Sequence, residues 1–532
     1  MISNNQYYLE RLSSLARQII DRCGRYIYNG PNDTTLLIDP IEQYSIEHHY
    51  AYSHFGVALI IQGIYNRNDL LIRLGQKIIK YFLDNLPKYI TISSYHHDFN
   101  NFALAFLYDY LQEVKYEDLE DLKNDIKLAL LISPDSKHQT INWLPMRIYT
   151  NLIRFQLTNE DKYLTKAQKF IKLIEKSIYY DGFFDDLLPK GISFSPQYHT
   201  YTTAVTLLLQ DKGIKFNINL RSAICALLAI IDPEGDFNYF GRGCNQIFGW
   251  GPYLFLLYRT GRSVELNKAL HYFDMYFSDV LSNFNILLNR HCGQERIAWW
   301  DYHYSIVYFA HLFFWLTITI CCSQFGIDLI NDEFKFPFVG DSGVYVYSSE
   351  KWFVTIFKGR RYYLCERGPM LCNLWSQNYG SIFKGPFGPF FGKFGNKHIM
   401  PINTILNYCG PIAIEIDKNI FNKIFERCKM DGNKLNIMPI FPKSINVLLD
   451  NGQDLRIIYN IDGNNLSIFN LPIIYKEKDT IEYLNKIRIY KYPTAEQLSL
   501  IKCGEICTSY GILLLFQTKP SNTKQYVLEI VQ

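Results

Sequence analysis

From residue 6 to about residue 325 the apolar positions recur at three- and four-residue spacing, the signature of helices with one buried face. In Leu70–Phe82, for instance, Leu71, Leu74, Ile78 and Phe82 gather on one side, with Arg73, Lys77 and Lys80 on the other. The same reading predicts helices over 6–28, 46–65, 69–86, 98–113, 116–132, 142–157, 161–178, 197–211, 217–231, 246–260, 265–286 and 302–324. Twelve helices with short connections suggest six helical hairpins closed into an α/α toroid. An open helical solenoid would carry the same signature.

After Phe334 the period changes to two. Gly343–Gly368 is a Val-, Tyr-, Phe- and Ile-rich run broken by the turn at Ser348–Lys351, which predicts antiparallel strands. Further strands are expected at Ile445–Leu449, Leu455–Ile461, Leu466–Phe469, Lys486–Tyr492, Ile512–Phe516 and Tyr526–Ile530. Turns at Asn451-Gly452, Asp462-Gly463 and Pro520-Ser521 space them. The chain thus divides into an α/α toroid over residues 1–330 and an antiparallel β-sandwich over 331–532. Tyr379–Asn396, rich in Gly, Pro and Phe, reads as a loop packing over the toroid mouth.

Composition narrows the function classes. The 532 residues are 48% hydrophobic and 16% aromatic, with 41 Tyr and 37 Phe; such rings suit sugar faces, and Tyr enrichment is equally the mark of an AT-rich genome. A formal charge of +3 without a basic tail or block gives nucleic acid no electrostatic footprint. The twelve cysteines form no CxxC pair and no zinc spacing, so no metal or other cofactor is expected. His48-His49 and His96-His97 are potential metal ligands, but neither pair has the i,i+4 spacing that puts two imidazoles on one helix face. The charged, amphipathic first residues contain no apolar signal core, so a cytoplasmic location with reduced thiols is expected; the alternative is export by a route that the sequence does not display. Ile306–Cys322 is long and apolar enough to span a membrane, yet with no second span and with His303, His311 and Gln324 in or beside it, a buried helix is expected.

The stretch 179–203 concentrates candidate chemistry. It opens on the Asp181-Gly182 turn, continues through Asp185 and Asp186, and enters a helix at Ser195-Pro196, with Ser as N-cap and Pro at the first helical position. Tyr198 and His199 then occupy the first turn, where the helix end favours a phenolate and disfavours an imidazolium. Tyr201 follows on the same helix. Asn142-Trp143, with Arg147 one turn on, starts another helix; Asn can neutralise a carboxylate and Trp can stack on a sugar, or the pair can be a cap and a core ring. Arg242, Asn245 and Gln246 lie in a glycine-flanked turn that offers an anion backbone donors and a guanidinium. Trp299, Trp300 and His303 open the last predicted helix and suit either a cleft wall or an ordinary hydrogen-bonded helix start.

The motifs NWLPMR (142–147), DGFFDD with SPQYHTY (181–201), FGRGCNQ (240–246) and the β-region from Phe336 resemble those of the heparinase II/III-like polysaccharide lyases and of a related uncharacterised bacterial toroid family. The resemblance implies a toroid carrying the catalytic cleft, closed by a β-sandwich, and β-elimination on a uronate-containing polysaccharide. It implies that Asn142 neutralises the substrate carboxylate, Tyr198 is the catalytic tyrosine with His199 beside it, and Arg242 binds substrate. Trp143, Arg147, Tyr201, Asn245, Gln246, Trp299, Trp300 and His303 complete the expected substrate contacts. Gln246 stands where a second arginine is expected. Two other readings follow from the residues: glycoside hydrolysis with Asp185, Asp186 or Asp181 as acid and base, where the same aspartates can instead simply cap their turn, and a non-catalytic glycan-binding protein.

Overall fold

The computed structural model describes residues 4–30, 35–40, 43–138, 140–186, 194–241, 246–283, 304–326, 338–357 and 370–384, and beyond these the strands from Phe391 to Ile530. Among the described residues there are twelve α-helices: α1 (Asn4–Gly24), α2 (Ala51–Asn66), α3 (Asp69–Tyr89), α4 (His97–Val114), α5 (Glu120–Ile132), α6 (Leu144–Thr158), α7 (Asp161–Ser177), α8 (Pro196–Asp211), α9 (Leu220–Ala229), α10 (Trp250–Arg259), α11 (Ser263–Asn283) and α12 (Ser305–Cys322). Each overlaps one of the twelve predicted segments. The first prediction runs too far, because Ile27–Asn29 (β1) leaves the helix to pair with Thr35–Leu37 (β2).

The even-numbered helices form a closed inner ring: α2 touches α4, and contact passes on through α6, α8, α10 and α12 back to α2. Each inner helix carries an outer partner, α3 on α2, α5 on α4, α7 on α6, α9 on α8 and α11 on α10, while α1 packs on α12. The first helix therefore completes the last pair, which rules out the open solenoid. Inner and outer helices differ as their neighbours require. On α7 the buried positions are Tyr163, Ala167, Ile174 and Ser177, one face only, whereas α8 is buried from Pro196 to Leu209. Buried hydroxyls on α8 are satisfied within the helix: Thr200, Thr202, Thr203 and Thr206 each donate to the carbonyl four residues back at 2.7–2.8 Å. The helix α12, the only one among the described residues with the length and hydropathy of a membrane span, is 89% buried as the sixth inner helix.

The period-two region forms antiparallel sheets. The first has the order β3 (Phe338–Val339), β4 (Val344–Ser348), β5 (Trp352–Phe357), β6 (Met370–Ser376), β7 (Gly380–Lys384). A second pairs β8 (Phe391–Phe394) and β9 (Lys397–Ile399) with β12 (Asn470–Ile474), β15 (Ile501–Thr508) and β16 (Gly511–Gln517). The third joins β10 (Ser444–Asp450), β11 (Asp454–Asn460), β13 (Ile487–Lys491), β14 (Gln497–Leu498) and β17 (Gln525–Ile530). Tyr379–Asn396, expected as a loop, instead supplies β7 and β8; Phe383 pairs with Leu374 of β6, and Phe391 and Phe394 pair with Cys507 and Gly504 of β15. Of the expected strands, Leu466–Phe469 lies outside the described residues.

Two polar joints fasten the first sheet to the helical ring. Asp181 accepts from the Ser342 amide (3.0 Å) and hydroxyl (2.6 Å), and Asp341 accepts from the Tyr180 and Asp181 amides. Asp181, a candidate acid, is thereby engaged in assembly. In the second joint, Lys384 Nζ from β7 enters a turn of acids, 2.8 Å from Asp232, 3.1 Å from Asp236 and 3.3 Å from Glu234. Asn373 of β6 donates to Asp232, Tyr272 of α11 donates to Asp236, and Ser381 donates to Glu234.

The turn of the first joint depends on a glycine. Gly182 has φ +94°, and a Cβ there would stand 2.2 Å from the Ser222 carbonyl oxygen. Gly182→Ala is expected to destabilise the protein by about 2–3 kcal/mol, the combined cost of a left-handed alanine and a backbone clash, read from chemical unfolding.

Candidate active site

All six inner helices begin at the same end of the ring. Their entry residues are His49 and Tyr50 for α2, His96 for α4, Asn142 and Trp143 for α6, Ser195 for α8, Gln246 to Phe248 for α10 and Tyr304 for α12. Ring contacts prove the convergence. Tyr50 stacks on Phe99 at 4.5 Å, Phe99 meets Trp143 and Tyr201 at 5.6 Å each, Tyr201 stacks on Phe248 at 5.3 Å, and Phe248 meets Tyr308 at 6.3 Å. Six helix N-termini at one mouth place the positive ends of six macrodipoles together, an environment that favours an anion.

One arc of the mouth runs over α6, α8 and α10. Asn142 sits in a 3-10 turn (Ile141–Trp143) leading into α6; this turn packs on α8. The Asn142 side chain is 1% exposed, and its Oδ1 has no hydrogen-bond partner among the described residues. Tyr198 follows in the first turn of α8, its ring edge-on to Phe248 at 6.3 Å. On the far side of Tyr198, Gln246 precedes the 3-10 turn into α10; it is 2% exposed, and its Nε2 is likewise without a partner. A buried polar atom left without a hydrogen bond costs about 1–3 kcal/mol, so the Asn142 acceptor and the Gln246 donor on either side of Tyr198 are two groups that a polar ligand would satisfy.

Several expected site residues point elsewhere. His199 is fully buried between α8, α9 and the Asp-Gly turn: Nδ1 accepts from the Phe184 amide at 3.1 Å and Nε2 donates to the Ala223 carbonyl at 3.0 Å. Burial pushes its pKa down to about 3, so it stays neutral with both nitrogens committed. Arg147 turns outward and is buried with Asp98, donating to it at 2.8 Å and to the His138 carbonyl at 2.6 Å. Tyr201 lies in a second layer beneath the mouth, its hydroxyl on Met146 Sδ at 3.0 Å. Ser195 holds the N-cap position of α8 with extended backbone, but its hydroxyl makes no capping bond. Asp185 accepts from the Tyr179 hydroxyl at 2.6 Å. Asp186 comes close to Asn142, since its carbonyl accepts from the Ile141 amide at 2.9 Å. Arg242, Asn245, Trp299, Trp300 and His303 lie outside the described residues. No group of three or more His, Cys, Asp or Glu among the described residues is arranged to hold a metal ion.

Sequence reasoning missed the Lys384 joint and two layers of rings around the mouth. His48, His49, His96 and Tyr304 make one layer at the surface; His54 and His311 lie below it, with His311 stacked on Phe248 at 4.4 Å. The histidine pairs at 48–49 and 96–97 were visible, but their meeting required ring closure.

No family model matches the chain, and no curated protein matches it. Solved structures similar to it include a glycosyl hydrolase family 88 protein from Bacteroides vulgatus, at 12% identity over 58% of this chain and 99% of that one, with a TM-score of 0.39. A possible member of the GH105 family from Salmonella enterica matches at 12% identity over 60% and 95%, with a TM-score of 0.36. The GH76A α-1,6-mannanase of Salegentibacter sp. matches at 11% identity over 58% and 98%, with a TM-score of 0.37. At this level of likeness neither activity nor active site transfers from them to this chain.

Proposed function

We propose that this protein is a carbohydrate-active enzyme that cleaves a uronate-containing polysaccharide by β-elimination at the ring mouth. The observation that supports this reading is the arc itself: Tyr198 stands between Asn142, whose Oδ1 has no partner among the described residues, and Gln246, whose Nε2 has none, where six helix N-termini converge. In elimination the C5 proton is acidified by its neighbouring carboxylate only once that carboxylate is neutralised. Carboxamide N–H groups and the helix ends supply the neutralisation. Tyr198, as a phenolate stabilised at the start of α8, takes the C5 proton; the C4–O bond breaks as the C4–C5 double bond forms, and the leaving oxygen receives the proton from Tyr198. His199 is not needed for either transfer.

A second reading, glycoside hydrolysis, is favoured by the position of Asp186 beside the Asn142 turn. Incubation with a panel of uronate polysaccharides separates the two, because elimination leaves a conjugated uronate that absorbs in the ultraviolet and hydrolysis does not. Elimination predicts an absorbance rise that falls about 10²- to 10³-fold in rate in Asn142→Ala, the loss typical of one removed donor at a developing charge. New reducing ends without absorbance would move the chemistry to Asp186; neither signal would leave a glycan-binding protein.

A further inference from the structure

Across the ring from Tyr198 the mouth carries side chains that the elimination does not use. In the order of the inner ring α2 stands opposite α8, with α12 and α4 on either side of it. His48 and His49 precede α2, His96 precedes α4 and Tyr304 precedes α12. The His49 ring centroid lies 4.1 Å from that of His96, 4.7 Å from that of His48 and 4.8 Å from that of Tyr304. These four rings form one bank. Its edge reaches Trp143, 5.7 Å from His96, and so adjoins Asn142.

Exposure separates this bank from packing. His48, His96, Tyr304 and the adjoining Trp143 are only part-buried and His49 among them is 8% exposed, whereas Tyr50, Phe99 and Tyr201 beneath are buried more completely. Charge points the same way. Glu47 is paired with Lys88 and Asp98 with Arg147, while Asp39 lies buried below, capping α12 at the Ile306 amide. The starts of α2 and α4 have no side-chain cap. Imidazole and phenol groups together are what a carboxylate resting here meets, with His96 Nδ1 3.3 Å from the His48 carbonyl.

We propose that His48, His49, His96 and Tyr304 form a subsite for an acidic sugar unit adjacent to the one cleaved, with its carboxylate on the imidazole bank and its ring face toward Trp143. The proposal rests on the acidic-polysaccharide reading above and extends it to a second unit of the substrate.

Calorimetric titration of the full chain carrying Tyr198→Phe, which prevents turnover, tests it with tetragalacturonate and tetramannuronate and with their carboxyl-reduced forms. Adding His49→Gln and His96→Gln is expected to weaken binding of the acidic tetramer about tenfold to hundredfold, the range for hydrogen bonds to a charged group, and to leave the reduced tetramer unchanged. Equal losses for both, or no loss, would overturn the subsite. His48→Gln, at a part-exposed position, is run in parallel in case the double variant fails to fold; the same selective loss is expected, at smaller size. The two readings fail separately. Imidazole-dependent binding of the acidic tetramer without any absorbance rise from the parent chain defeats elimination and leaves the subsite. An absorbance rise in His49→Gln/His96→Gln with unchanged KM defeats the subsite and leaves elimination.

Discussion

Tyr198→Phe is expected to abolish the ultraviolet absorbance rise on uronate polysaccharides while leaving the protein folded and able to bind its substrate. The change removes one hydroxyl from a ring whose apolar contacts, edge-on to Phe248, stay in place. It removes the group proposed both to take the C5 proton and to return one to the leaving oxygen. One proton-transfer role contributes about 10²- to 10⁴-fold; loss of both in a single side chain puts the expected fall in kcat at the upper end of that range, with KM nearly unchanged. A kcat that survives the substitution would remove Tyr198 from the chemistry. Reducing ends produced at an undiminished rate would then direct attention to Asp186. His199→Gln offers a contrast: its losses should appear as lower stability, since the ring ties Phe184 to Ala223 and has no nitrogen left for substrate.

Adjacent residues on a helix diverge by about 100° around the axis. That rotation explains why Tyr198 and His199, consecutive in sequence and both attractive as acid–base groups, have different fates. Tyr198 faces the ring axis and His199 faces α9. Sequence periodicity reports the helix but not which of two polar neighbours the fold turns inward. The helix starts, by contrast, were legible: Asn142, Ser195-Pro196 and the glycine-flanked turn before Gln246 each mark an entry. Once the inner helices close into a ring that they enter from one end, those entries become a single site. The closed toroid was expected, but the local pattern did not distinguish it from an open solenoid, because closure depends on α1 and α2 meeting α12, contacts between distant segments. Arg147 illustrates the same limit: its partner Asp98 lies on another helix, and nothing near Arg147 in sequence predicts that it is spent on an ion pair.

The joint between ring and sheet has the largest expected effect on stability. Lys384 is 2% exposed and Asp232 and Asp236 are 0% exposed, so two fully buried carboxylates and the 22%-exposed Glu234 share one cation. Burial opposes the ammonium, but Asp232 and the other acids outweigh it and hold Lys384 protonated. Lys384→Met leaves buried carboxylates without their cation, a change that costs about 3–5 kcal/mol where one partner of a buried pair is removed. The loss should depend on pH. Burial raises the Asp232 pKa to about 6, above its unfolded value of 3.8. A raised carboxyl contributes stability that is present below the unfolded pKa and is lost as pH rises through the folded one. Removing Lys384 takes away the main influence that holds Asp232 down, so the variant should lose most at pH 8 and markedly less at pH 5, where Asp232 carries a proton. Asp232→Asn added to Lys384→Met should recover part of the deficit at pH 8 and little at pH 5. Urea unfolding of the three proteins at both pH values checks this; a deficit independent of pH, or a double variant no better than the single one at pH 8, would mean that the acids are not what Lys384 holds in place.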